Sequence, residues 1–261
     1  MFFASAISLL LFAGNGLTAA PAAQPDVASI IARSVTANDV DFKAAPQFNY
    51  RETDRTPQGS KTYQVTMLDG SPYQRLIAVN GKPLPPDQAA EENKKQEQAA
   101  SQRRAESADA RRQRIAKYER DRSRDHEMMS QLTKAFEFRL IGKPKLRNFN
   151  TWLLKATPRA GYEPPNMSTQ VLKGMQGQLW IDQKTGQWVK VTAEVIRPVS
   201  IEGFLAQVQP GTRFEIEKSP VPGGTWQFTR FLMNSHAKVL FMVDHASQAD
   251  ETYFDYQPVK K

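Results

Sequence analysis

Apolar and polar residues alternate along most of the chain, which is the period of half-buried β-strands. Turn-forming residues such as Asp69-Gly70-Ser71-Pro72 separate the alternating runs. The short links favour antiparallel neighbours. The predicted strands are Phe48–Thr53, Lys61–Leu68, Tyr73–Val79, Ala135–Ile141, Phe149–Thr157, Gly177–Asp182, Gln187–Arg197, Gly203–Val208, Thr212–Lys218, Thr225–Met233, Lys238–Asp244 and Glu251–Tyr256.

Helical periods interrupt this pattern in two main places. Asp26–Ala37 carries its apolar residues on one helical face. From Asp87 to about Leu132 the chain has no Gly or Pro and, over most of its length, no apolar stripe wider than Ala. Without such a stripe a helix is expected to project into solvent. A short helix is also predicted between Pro164 and Met175.

Two strands are apolar at consecutive positions, at Trp152-Leu153-Leu154 and at Val239–Val243. A strand that is apolar on both faces needs both faces covered. The sequence therefore predicts a mainly β, α+β fold: a curved antiparallel sheet, covered by Asp26–Ala37 and the short helix near Met167. The long charged helix is expected to protrude after the third strand and to leave the covering to the other two.

The first residues resemble a signal peptide, with an apolar run at Ala4–Ala13 followed by the small-x-small pattern Ala20-Pro21-Ala22. We expect residues 1–22 to be removed, 23–258 to form one domain, and 86–132 to be a helical insertion within it. The chain has no Cys, which excludes disulfides and thiolate metal sites. A periplasmic, soluble monomer is the expectation.

The 35 basic and 27 acidic residues give a formal charge of +8, which favours anionic partners. Within the predicted long helix, the stretch Arg103–Arg124 is locally basic, with nine basic and four acidic residues. This stretch is a candidate contact for an envelope protein or an anionic membrane surface, and the alternative is a solvated helix held by side-chain pairs. Its basic residues are Arg103, Arg104, Arg111, Arg112, Arg114, Lys117, Arg120, Arg122 and Arg124.

Catalytic and metal-binding signals are scarce. The three histidines, His126, His236 and His245, lack the spacing of a helical metal pair, and no G-x-S-x-G occurs. The carboxylates Glu215/Glu217 and Asp250/Glu251 are expected to face water. We therefore predict no enzyme, no cofactor, no metal site and no nucleic-acid partner.

The order of these parts resembles the LolA/RseB-like superfamily of bacterial periplasmic proteins. The run Gly177-Gln178-Leu179-Trp180-Ile181-Asp182 with Thr185-Gly186, and the ending in Tyr253, Phe254 and Tyr256, are similar to that family's pattern. The resemblance implies a half-barrel of about eleven strands whose mouth is closed by helices. It also implies that the half-barrel binds an acyl chain, a lipidated protein or a related amphiphile.

Two functions remain open at this point. One is a periplasmic carrier that holds a lipid, acyl chain or lipoprotein on the concave face of the sheet. The other is an envelope interaction or regulatory protein that acts through the charged helix, with the sheet as scaffold. The apolar residues predicted to line the carrier's cavity are Trp152, Leu154, Trp180, Phe231, Met233, Leu240 and Met242.

Overall fold

A computed structural model describes residues 26–201, 206–239 and 243–259. The predicted signal segment and the candidate residues Leu240 and Met242 lie outside these ranges. The described residues contain three α-helices, at Val27–Ala44 (α1), Pro86–Ala105 (α2) and Ala108–Ala135 (α3). Two short 3-10 helices span Ala45–Gln47 and Gln170–Gly174. The second of these is the short helix predicted between Pro164 and Met175.

The same residues form fourteen strands, four of which are only two or three residues long. Eight of the ten longer strands agree closely with the predicted runs, and the last two strands differ from them. The strands are Phe48–Thr56 (β1), Gly59–Leu68 (β2), Ser71–Val79 (β3), Lys82–Pro83 (β4), Phe136–Gly142 (β5), Lys145–Leu146 (β6), Phe149–Pro158 (β7), Met175–Asp182 (β8), Trp188–Val195 (β9), Val199–Ile201 (β10), Ala206–Val208 (β11), Arg213–Pro220 (β12), Trp226–Val239 (β13) and Val243–Pro258 (β14).

The main path of the sheet runs β4-β3-β2-β1-β14-β13-β12-β9-β8-β7-β5, with antiparallel neighbours throughout. Strands β4 and β5 end this path and do not pair with each other, so the sheet is open. This is the unclosed, helix-covered antiparallel sheet that the sequence predicted. Strands β13 and β14 form one long hairpin where the sequence suggested three separate runs.

One face of the sheet, called the inner face here, packs against the helices. Leu154, Leu179 and Ile181 are buried there with Met175 and Val195. Side chains on neighbouring positions of each strand point to the opposite, outer face. The outer face carries ion pairs instead of a core, such as Lys190 with Glu215 at 2.7 Å.

Helix α1 is longer than predicted because its polar residues are buried as well as its apolar ones. Ser34, Asn38 and Asp41 share the buried stripe of Ile30. The Trp188 Nε1 donates to Ser34 Oγ at 2.5 Å, and the Lys218 Nζ donates to Asn38 Oδ1 at 2.8 Å. The sheet supplies polar partners, so the helix continues to Ala44 where hydrophobicity alone would end it.

The predicted single helix is two helices, and this insertion does not protrude. The break falls at Glu106-Ser107, where Ser107 caps α3 by accepting a hydrogen bond from Ala110 N at 3.2 Å. Helix α2 then packs along β3, and α3 crosses the inner face to reach β5. The expectation of a projecting helix was wrong because arginine contacts and a few large apolar residues replace the missing stripe.

Candidate functional site

An apolar cavity of about 70 Å³ lies between α3 and the inner face. Its walls include large side chains from the helix and the sheet, among them Met128, Met129, Leu132, Phe138, Trp188 and Phe214. Pockets for small organic ligands usually measure about 300–1,000 Å³. The cavity under α3 is much smaller than such a pocket, because the last turns of α3 cover this part of the sheet. This cover adds to the two covers predicted from the sequence.

The predicted cavity residues are dispersed in the structure. Leu154 is fully buried in the core, and Trp152 packs against the same cluster. Trp180 lies on the outer face, because its neighbour Leu179 points into the core. Phe231 and Met233 lie on the inner face of β13, opposite Ile216 and Phe214 of β12. None of these five lines the cavity.

Two of the nine predicted contact cations hold the insertion to the turn between β2 and β3. Arg103 donates to the carbonyls of Leu68 at 2.9 Å, Ser71 at 2.8 Å and Pro72 at 3.1 Å. Arg114 donates to Ser71 Oγ at 2.7 Å and forms an ion pair with Glu106 at 2.8 Å. These arginines bind the two ends of the α2–α3 break to one turn of the sheet.

Arg122 is the third anchoring cation. Its guanidinium lies 4.4 Å from the ring centroid of Phe42 and donates to the Phe42 carbonyl. The Phe42 ring also stacks on His126 at 4.0 Å, and His126 Nε2 lies 3.1 Å from Asp39 Oδ1. These contacts join α3 to the C-terminal half of α1, so Arg122 is part of the helical packing.

The other six cations are exposed. Three of them occupy one stripe of α3 at i, i+3 and i+7 spacing: Lys117, Arg120 and Arg124. Lys117 and Arg124 both pair with Asp121, at 2.8 Å and 3.3 Å. Exposed pairs of this kind contribute roughly 0.2–1 kcal/mol each, so a partner can readily replace them. The exposed cations outside the stripe are Arg104, Arg112 and Arg111, and Arg111 also makes a long ion pair, at 3.8 Å, with Asp69 of the β2–β3 turn.

An open groove of about 950 Å³ runs beside this stripe. Arg120, Ser123 and Arg124 of α3 form one wall, and the loop residues 166–168 form the other. Met167 stands in that wall with 52% of its surface exposed. Glu127 and Glu119, the latter paired with Arg122, also line the groove. The groove thus combines two arginines and two carboxylates with an exposed apolar side chain.

An acidic cluster on the inner face was missed by the sequence analysis. Glu52 is 8% exposed, accepts a hydrogen bond from Gln74 Nε2 at 3.2 Å, and lies beside Asp54. Glu251, expected to face water, is half-buried opposite Asp54 and accepts from the hydroxyl of Tyr253. Burial, with the charge of Asp54 as the next cause, raises the pKa of Glu52 to about 7. Only the i, i+2 spacing of Glu52 and Asp54 signals this cluster in the sequence.

The carboxylates Glu215 and Glu217 do lie on the outer face, where Lys190 pairs with both of them. Glu217 also pairs with Arg147. Within the described ranges, no group of three or more His, Asp or Glu has an arrangement that could hold a metal ion. No helix in those ranges is long and apolar enough to span a membrane.

Comparison with known proteins gives structural likenesses only. No family model matches the chain, and no curated protein matches it. A crystal structure of MucB in complex with MucA(peri) is 10% identical, with a TM-score of 0.25, over 90% of this chain and 100% of that one. A Pseudomonas aeruginosa MucA/MucB complex is 10% identical, with a TM-score of 0.24, over 87% and 99%. Similarity at this level does not indicate a shared function.

Proposed function

We propose that this chain is an exported, periplasmic binding protein that docks on an acidic envelope protein through α3. The observation that supports it best is that some of the nine cations of the insertion make packing contacts while others face solvent. Arg103, Arg114 and Arg122 anchor the insertion, whereas Lys117, Arg120 and Arg124 form a solvent-facing stripe. A fold that only needed a solvated helix would not require a cationic stripe beside a groove with an exposed Met.

The partner's chemistry follows from the exposed cationic stripe, which extends beyond the groove to Lys117, and from Met167. Arg120 and Arg124 suit carboxylates, which accept paired hydrogen bonds from guanidinium groups. Met167 suits an apolar side chain, since its flexible thioether adapts to different shapes. The proposed partner segment is therefore acidic with at least one apolar residue, and the interaction is expected to weaken with salt. No enzymatic step is part of this proposal.

A photo-crosslinking residue in place of Ser123, within the groove, tests this proposal in cells. We expect one envelope protein to be captured, and captured through an acidic segment. The reversal Arg120→Glu/Arg124→Glu in the same chain should abolish capture. The control Lys94→Glu/Lys145→Glu, with an equal change of charge at exposed sites elsewhere, should leave it intact. Capture that survives the first reversal, or is equal from Thr192 on the outer face, would contradict the proposal.

Charge reversal is a sharper test than deletion of the insertion. Removing Gln88–Arg124 would also remove the contacts of Arg103 and Arg114 with the β2–β3 turn. It would uncover β3 along the edge where α2 packs. A loss of binding after deletion would therefore report unfolding as well as docking.

A carrier for a lipid, acyl chain or lipidated protein is the second candidate, and the cavity under α3 is the observation that favours it. Its lining is almost wholly apolar, and Met128 and Met129 can repack around a flexible chain. At about 70 Å³ the cavity requires α3 to move before an acyl chain enters. Native mass spectrometry of detergent-free protein, with displacement of a fluorescent fatty acid, tests this. Absence of lipid together with no displacement would rule it out.

A further inference from the structure

The two edges of the sheet differ in whether another element covers them. Along β3, helix α2 covers the edge: the Glu92 carboxylate accepts a hydrogen bond from the backbone of Leu76, and Arg75 donates to Asn93 at 2.9 Å. Covering an edge in this way prevents another strand from pairing with it. At the other edge, β5 pairs with β7 on one side, and no strand of the described ranges pairs with its other side.

The backbone directions in β5 follow from one hydrogen bond at its start. Arg159 N donates to Ala135 O at 2.8 Å, and Phe136 lies opposite Pro158 in the same register. Bonded and unbonded pairs alternate in an antiparallel ladder. The N–H and C=O groups of Phe136, Phe138 and Leu140 therefore point away from β7. The Phe136 carbonyl also accepts a hydrogen bond from Arg159 Nη2 at 3.0 Å. Its second lone pair can still accept a hydrogen bond from another strand.

The exposed side chains of β5 carry opposite charges on either side of Phe138. Glu137 and Arg139 share the outer face and are both exposed. Their neighbours on β7 are Thr157 and Lys155, so Arg139 stands beside another cation. Neither residue takes part in any ion pair formed among the described residues.

We propose that β5 is a homodimer interface, at which a second copy of this chain adds its own β5 antiparallel about Phe138. This register places Glu137 opposite Arg139 of the other copy, twice. It places Phe138 opposite its own counterpart and Phe136 opposite Leu140. The Phe136 N–H already donates to Leu132 O at the end of α3. The N–H and C=O of Phe138, the N–H of Leu140 and the C=O of Phe136 are then the groups that form backbone hydrogen bonds between the copies, about four in all. The sequence, backbone direction and charge are self-complementary in a single register.

The bulge at the end of β5 sets the length of this interface. The pairing with β7 shifts between Leu140 and Gly142, which leaves Ile141 out of register. A bulge twists an edge away from further pairing. The contact is therefore limited to Phe136–Leu140. An interface of this size belongs to the weak class, so we expect an equilibrium between monomer and dimer, in place of the monomer expected from the sequence.

Sedimentation of the full mature chain over about 1–300 µM, the range suited to a weak interface, tests the proposal with a charge swap. We expect a concentration-dependent dimer for the unaltered chain. Glu137→Arg or Arg139→Glu alone converts two attractive pairs into two repulsive ones, and should weaken the dimer about tenfold or more. The double variant Glu137→Arg/Arg139→Glu restores both pairs and should restore the dimer.

Two further measurements keep the test specific. Glu163→Arg makes the same change of charge at an exposed loop position and should not alter dimerisation. Hydrogen exchange at Phe138 and Leu140 should slow with concentration, whereas Glu137 and Arg139, already bonded to β7, should not change. A chain that is monomeric throughout overturns the proposal and leaves the edge to a strand of another protein. A dimer equally strong in all four charge variants also overturns it.

Discussion

The Lys218 Nζ lies 3.0 Å from Asp41 Oδ2, and both side chains are about 5% exposed. Asp41 also accepts a hydrogen bond from Trp226 N at 3.0 Å through its other oxygen. This buried pair ties α1 to the junction of β12 and β13. Burial lowers the pKa of Lys218, while the charge of Asp41 acts in the opposite direction.

Removing one partner of this pair should cost more than removing both. Asp41→Leu leaves a buried ammonium without its counter-charge, which typically costs about 3–5 kcal/mol. The double variant Asp41→Leu/Lys218→Met replaces the pair with apolar groups and should recover much of that loss. Urea unfolding of the two variants checks this. Equal destabilisation by the single and double variants would show that the pair's charges contribute little.

The Glu52 cluster should make stability depend on pH. The pKa of Glu52 is raised to about 7 in the folded chain, above its ordinary value of about 4.3. The folded state therefore binds more protons than the unfolded state between these values, and stability falls as pH rises through that window. We expect the free energy of unfolding to decrease by roughly 1–3 kcal/mol from pH 5 to pH 8.

Glu52→Gln should remove most of this decrease. The amide oxygen can still accept from Gln74 Nε2, and the side chain carries no charge beside Asp54 at any pH. The free energy of unfolding of the variant, measured by urea unfolding, should equal that of the unaltered chain at pH 5 and exceed it at pH 8. Glu163→Gln, at an exposed loop position, is the control. Parallel pH curves for Glu52→Gln and the unaltered chain would contradict the assignment.

The alternation of apolar and polar residues predicted the strands well, because each strand has one face on a core. Phe214 and Ile216 lie on the inner face, and Glu215 between them faces outward. The same rule could not show that Asn38 and Asp41 are buried, since their partner Lys218 is far away in sequence. Burial of polar residues depends on tertiary partners, which a single-sequence pattern does not reveal.

The candidate site was predicted less well, for two physical reasons. Arg103 and Arg120 belong to the same basic stretch, but only the fold shows that one anchors and the other is exposed. Trp180 was assigned to a cavity from its residue type, whereas its face depends on strand register. Ser107, preceded by Glu106 and followed by Asp109, was the one local signal of the helix break.

Arg103 should matter far more to stability than its sequence neighbour Arg104. Arg103→Ala leaves three carbonyls of the β2–β3 turn without their donor and loosens α2 from β3. We expect a loss of about 1–3 kcal/mol, the range for hydrogen bonds to a charged group. Arg104→Ala, at an exposed position, should change stability by less than about 0.5 kcal/mol. Thermal unfolding compares the two, and equal effects would argue against an anchoring role.

Gly70 should be intolerant of a side chain because α3 packs against it. Its φ is +91°, and a Cβ there would lie 2.9 Å from Ile115 Cδ1. Gly211 has a similar φ of +88° with no atom within 4 Å of such a Cβ, so it is a matched control for backbone strain alone. Both Gly→Ala changes should cost about 1–2 kcal/mol from the left-handed backbone. Gly70→Ala should cost about 0.5–1.5 kcal/mol more, because the end of the Ile115 side chain has to leave its preferred rotamer to make room. Adding Ile115→Ala should lessen the excess at Gly70 and leave Gly211→Ala unaffected. An equal cost for the two glycine variants in urea unfolding would mean that α3 yields at this contact.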